Sequence, residues 1–139
     1  MNALATRFQV PAPPENRRNG AMVEFLRSMV VGPHGTTERL HALYLDSARA
    51  YLGDTALGQG ADQRLSLRMR EMFERALALK ADGIILAHNH PSGLCRPSPC
   101  DIEATQRIRI VAQALDIQLI DHLIFTRDAV YSMRAGGNL

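Results

Sequence analysis

The chain has 139 residues, 46% of them hydrophobic and 22% charged, the size and balance of one globular domain rather than of a disordered or fibrous chain. A formal charge of +2 gives no strong general field for nucleic acid. The longest apolar stretches, such as Ile84-Ile85-Leu86-Ala87, fall far short of the roughly 20 residues that cross a bilayer. The first 20 residues lack the apolar stretch and cleavage site of an export signal, so the expected location is cytoplasmic, with no membrane partner. Two cysteines, Cys95 and Cys100, cannot build a disulfide framework and are expected as thiols.

Residues 1–19 read as a flexible N-terminal arm, since Pro11-Ala12-Pro13-Pro14 and the polar run to Gly20 interrupt helix and ladder alike. Residues 20–139 then form one domain. Met22, Phe25, Leu26, Met29 and Val30 recur at helical spacing until Gly32-Pro33, which predicts a short helix. Arg39 to Leu45 suits a strand buried on both faces, with Ala50 to Leu57 as a less regular partner. Leu65, Met69, Met72, Phe73, Ala76 and Leu77 form one apolar stripe, and Arg64, Arg68, Glu71 and Arg75 lie on another face, so this segment is an amphipathic helix of about 18 residues. Gly83 ends it and Ile84 to Ala87 reads as a central strand. After a proline-rich loop, Ala104, Ile108, Val111, Ala112 and Leu115 mark a second long helix, and Ile117 to Phe125 with Val130 to Met133 read as a closing strand pair. Strands alternating with helices make the fold α/β (α+β).

The chemistry lies in the segment from His88 to Asp101. Two histidines two apart at the end of a strand point to the same side, so His88 and His90 can reach one ion. Asp101 falls in the first turn of the next helix, where a folded-back loop can bring its carboxylate to the same point. Two imidazoles and one carboxylate are a frequent set for catalytic zinc. Each residue also has a plainer explanation: Ser98-Pro99-Cys100-Asp101 starts a helix unaided, with serine as N-cap and an acid at the third position. A zinc deaminase needs a glutamate two residues after its histidine and a cysteine three after the first cysteine; His90 and Glu103 stand there instead, so deamination is disfavoured. Cys95 and Cys100 are one pair without a second, weak as zinc ligands. A metal hydrolase also needs a general base, and spacing alone does not choose between Glu38, Glu71, Glu74 and Glu103.

At these residues the sequence resembles the JAMM, or JAB/MPN, metallohydrolase family and its RadC-like branch. The family pattern is a distant glutamate, then His-x-His-Pro, a serine eight residues after the second histidine and an aspartate three beyond; His88, His90, Pro91, Ser98 and Asp101 match it. The RadC-like character is carried by Leu86 to Gly93, Leu43-Tyr44-Leu45-Asp46, Arg70-Glu71 through Ala76-Leu77, and Asp121-His122-Leu123-Ile124, so the similarity spans residues 20 to 134.

The resemblance implies a mixed β-sheet flanked by helices with cytidine-deaminase-like topology, and one Zn2+ per chain held by His88, His90 and Asp101. Aligning the Leu-Tyr-Leu-Asp block places the family's glutamate at Glu38, whose implied role is to activate a zinc-bound water and protonate the leaving amine. Ser98 would hydrogen-bond the developing oxyanion, and Asp121 or His122 would hydrogen-bond a zinc ligand. The implied activity is that of a metallopeptidase or isopeptidase acting on a protein or peptide, including ubiquitin-like conjugates; a homo-oligomer is compatible with it. The alternatives are a DNA-repair-associated nuclease or DNA-binding accessory, with Arg64, Arg68 and Arg75 on phosphates, and a catalytically silent MPN scaffold. The helix-hairpin-helix region typical of the branch has no counterpart here, and Gly60-Ala61 and Leu94 depart from its usual residues.

Overall fold

The computed structural model describes residues 14–32, 37–59 and 65–139. In chain order they form α1 (Pro14–Val30), β1 (Arg39–Leu45), β2 (Tyr51–Gln59), α2 (Leu65–Ala78), β3 (Gly83–Asn89), α3 (Pro99–Ala114), β4 (Gln118–Phe125) and β5 (Val130–Ser132). The strands make one mixed sheet in the order β2-β1-β3-β4-β5. Only β3 and β4 run parallel, as a strand–helix–strand unit with α3 as its crossover requires.

The first helix departs from the expected arm. Residues 1–13 lie outside the described residues, but the backbone is helical from Pro14. Proline at a helix start gives up only an N–H that would have no intrahelical partner, and its φ is already set for the helix. The last proline of the run therefore opens the helix instead of blocking it.

Alternation along the central strands divides the core. Ala42, Tyr44, Ile84 and Leu86 turn toward Met72, Phe73 and Ala76 of α2 and Ile108 and Ala112 of α3. Leu43, Leu45, Ile85 and Ala87 turn the other way, against Leu26 and Val30 of α1. All seven residues of β3 are buried, which is why this strand reads as an apolar run without alternation. The Tyr44 hydroxyl, fully buried, donates to the Met72 carbonyl at 3.1 Å and ties β1 to α2.

One irregularity decides the site. Along β4 the pairing with β3 steps from Ile84↔Leu119 to Ile85↔Asp121, leaving Ile120 as an extra residue. Such a bulge reverses which side chains face which layer. Leu119 thus packs in the α2/α3 layer, whereas Leu123 packs in the α1 layer. His122, paired with Leu86, is carried onto the α2/α3 side.

Candidate metal centre

His88 is the sixth residue of β3, on the same face as Ile84 and Leu86, and is only 4% exposed. His90 follows the strand end, anchored by its own N–H to the Phe125 carbonyl at 2.8 Å. Its ring is held by Nδ1, which donates to the Leu94 carbonyl at 2.9 Å. The tight turn that returns Leu94 to His90 passes through Gly93 at φ +88, a backbone conformation that favours glycine. The two rings meet edge-on, at an interplanar angle of 63°, with Nε2 atoms 2.8 Å apart.

Asp101 arrives from α3. Ser98 is the N-cap: its hydroxyl oxygen accepts from the Asp101 N–H at 3.1 Å, and the Ser98 N–H donates to Asp101 Oδ2 at 2.9 Å. This capping box fixes the carboxylate. The same Oδ2 lies 3.1 Å from His90 Nε2 and 3.5 Å from His88 Nε2, so the carboxylate that caps the helix also stands against both imidazoles. Glu38 comes from the residues just before β1. The antiparallel register sets Leu40 opposite His88, which carries Glu38 alongside His90, and ligand atoms of Glu38, His88 and His90 lie within 4.8 Å of one another. Glu38, His88, Asp101 and His122 line one cavity of about 220 Å³, walled by Leu40, Leu86 and Ile108 among others.

His122 lies directly behind His88. Its Nε2 is 2.7 Å from His88 Nδ1, and its Nδ1 is 2.7 Å from Thr105 Oγ1. Burial pushes its pKa well below the usual histidine value, and the neighbouring His88 acts in the same direction. Burial would raise the Asp101 carboxyl, but the adjacent His88 and His90 rings and the Ser98 N–H outweigh it and hold the group far below the ordinary carboxylate range. The His90 pKa is raised, chiefly by the Asp101 carboxylate beside it, against the opposing effect of burial. The centre therefore attracts positive charge.

The donor set fits zinc. Tetrahedral zinc with bonds of about 2.0–2.1 Å sets its ligand atoms about 3.3 Å apart. The triangle of His88 Nε2, His90 Nε2 and Asp101 Oδ2 has edges of 2.8, 3.1 and 3.5 Å. His90 Nδ1 carries a proton toward a carbonyl, so in its neutral form the ring turns a lone pair inward, as a metal ligand must.

Other sequence readings are placed differently. Asp121 makes its hydrogen bonds away from the candidate ligands. Its Oδ2 accepts from the Ser132 hydroxyl at 2.5 Å and its Oδ1 from the N–H groups of His122 and Arg134 at 2.7 and 3.0 Å. The bulge at Ile120 turns it to the α1 side, beside Met22, Val23 and Ile85. Cys95 directs its thiol to the Ile124 carbonyl at 3.3 Å, and Cys100 is exposed. Arg68 lines the site cavity, Arg75 is exposed with a guanidinium nitrogen near Gly53 of β2, and Arg64 lies outside the described residues.

Thr105 and Asn89 were not singled out by sequence. Thr105 stands four residues after Asp101 on α3, the spacing that shares a helix face, and that was the available signal. Asn89 lies between the histidines and so points to the opposite side of the strand. Its Oδ1 accepts from the Arg39 N–H at 2.6 Å and its Nδ2 donates to the Thr37 carbonyl at 3.0 Å.

The family model described as RadC-like JAB domain matches residues 17–138. The chain belongs to the RadC-like JAB domain family. Curated relatives of this RadC-like chain carry the family name UPF0758. It is 41% identical over 106 residues to the UPF0758 protein of Ruegeria pomeroyi, covering 76% of this chain and 47% of that one. It is 42% identical over 104 residues to that of Bordetella avium, 75% and 46% of the two chains. It is 40% identical over 102 residues to YkfG of Escherichia coli K12, 73% and 65% of the two chains. The RadC-like chain thus spans about half the length of most of these relatives. Among its described residues no helix is long and apolar enough to cross a membrane.

Proposed function

We propose that this RadC-like domain is a zinc-dependent hydrolase of amide bonds, a metallopeptidase or isopeptidase. The observation that carries the reading is the convergence of His88 Nε2, His90 Nε2 and Asp101 Oδ2, with His88, Asp101 and Glu38 lining one cavity. When bound there, zinc would lower the pKa of a water molecule from about 16 toward about 7.

The chain's own groups supply the rest. Glu38 is exposed and lies beside the histidines, so its carboxylate can take a proton from an attacking water and return it to the leaving nitrogen. The Ser98 hydroxyl, already accepting from the Asp101 N–H, retains a proton to donate to a carbonyl oxygen as charge develops there. Leu40, Leu86 and Ile108 give the cavity apolar walls against which an extended peptide can lie. The substrate class proposed is a protein or peptide, including ubiquitin-like conjugates.

A second reading, action on nucleic acid, is favoured by one observation: Arg39 and Arg68 line the same cavity, where guanidinium groups suit phosphate.

The test is to incubate zinc-loaded protein with isopeptide-linked and linear fusions, peptides, and single- and double-stranded DNA, using Glu38→Gln as control. The proposal expects amide cleavage that falls by about 10²- to 10⁴-fold in the variant, the usual worth of a general base. Metal-dependent DNA nicking lost in Glu38→Gln, without amide cleavage, would replace it with the second reading.

A further inference from the structure

Behind the candidate ligands runs a chain of three hydrogen bonds whose proton directions can be assigned. Thr105 donates its single hydroxyl proton to the Asp101 carbonyl at 2.7 Å, the four-back bond that threonine makes inside a helix. Its oxygen can then only accept from His122 Nδ1, 2.7 Å away. A neutral imidazole holds one N–H; with that proton on Nδ1, His122 Nε2 presents a lone pair to His88 Nδ1 at 2.7 Å. His88 must then carry its proton on Nδ1, and its Nε2 is left as a bare lone pair facing His90 Nε2 and Asp101 Oδ2.

We propose that Thr105 and His122 are positioning residues that lock His88 into the metal-binding tautomer before any metal arrives. The lock starts and ends on one residue, because the carbonyl that fixes Thr105 belongs to Asp101, whose carboxylate is the third candidate ligand. It is withdrawn from the surface: Thr105 is fully buried and His122 5% exposed, so bulk solvent has little access to turn either group. A structural histidine in the core needs its two nitrogens satisfied, but that need does not require a chain whose far end aims a lone pair of His88 at His90 Nε2 and Asp101 Oδ2.

The inference rests on the zinc reading, and its test separates the two. In zinc-free wild-type protein, nitrogen-15 NMR of the imidazoles should place the proton of both His88 and His122 on Nδ1. Zinc affinity, measured by competition with a chromophoric chelator, should fall by about 10- to 100-fold in Thr105→Val, the usual effect of losing an outer hydrogen-bond partner of a metal-bound histidine. Thr105→Ser, which keeps the hydroxyl, should restore affinity to within about 3-fold of wild type. Circular dichroism checks that the variants fold; if Thr105→Val does not, the wild-type NMR assignment still decides. A His122 proton on Nε2, or wild-type zinc affinity in a folded Thr105→Val, overturns the lock. Wild-type protein that takes up no zinc, with both protons on Nδ1, overturns the zinc reading and leaves the proton directions standing.

Discussion

Asn89 on β3 accepts the Arg39 N–H at 2.6 Å, so the residue between the two candidate histidine ligands also grips the residue after Glu38. Its amide donates to the Thr37 carbonyl at 3.0 Å, and both neighbours of Glu38 are thereby clamped by one side chain that is 2% exposed. Replacing Asn89 with Ala removes both bonds and leaves two backbone groups to find other partners. A cost of about 1–3 kcal/mol in urea unfolding is expected, together with faster amide exchange at Arg39. Zinc affinity should change much less than in His88→Ala, since Asn89 bonds to none of the three candidate ligands. A variant with unaltered exchange at Arg39 would show that Glu38 is held by other means.

Asp121 and His122, adjacent in sequence, should separate cleanly in solution. Asp121 joins the Ser132 hydroxyl and the Arg134 N–H on the α1 side of the sheet, so Asp121→Ala is expected to lose about 1–3 kcal/mol of stability with zinc affinity within about 2-fold of wild type. A loss of affinity comparable to that expected for Thr105→Val would contradict the placement that the bulge at Ile120 dictates.

The hairpin of β1 and β2 carries an acid-sensitive pair. His41 Nε2 lies 2.6 Å from Asp54 Oδ2, and the Tyr51 hydroxyl donates to the other oxygen. Burial would raise the Asp54 carboxyl, but the hydrogen bonds from Tyr51 and His41 outweigh it and hold the pKa below its ordinary value. A carboxyl with a depressed folded pKa stabilises fully above its unfolded value, about 3.9, and this contribution is lost as pH falls through the folded one. Wild-type protein should therefore lose more stability between pH 5 and pH 3 than Asp54→Asn, by urea unfolding at each pH. Parallel curves would show that the pair carries no acid dependence.

Much of the site was legible because its spacing is short and local. His88 and His90 sit at the end of an apolar run, and Ser98 to Asp101 is a helix start that the structure realises as a capping box. The order of strands and helices followed from Leu65 to Leu77 and Ile84 to Ala87 in the same way. What escaped depends on contacts far apart in sequence. The choice between Asp121 and His122 is made by the extra residue Ile120 in the pairing of β3 with β4, and no local pattern announces a bulge within an apolar strand. The clamp of Asn89 on Thr37 and Arg39 spans some 50 residues of chain. The start of α1 was placed too late because Pro14 was read as a breaker, whereas at the first helical position it initiates.

The central claim is that His88, His90 and Asp101 hold one zinc ion. Zinc should also stabilise the fold, by about 2.7 kcal/mol at a free concentration 100 times its dissociation constant. The most direct measurement is elemental analysis of the purified, folded chain after equilibration with zinc and removal of excess, beside His88→Ala and Asp101→Ala. Near one zinc per chain in wild type, and loss of that zinc in both folded variants, is the expected result. A folded wild-type chain that retains no zinc, or variants that retain it in full, would contradict the account.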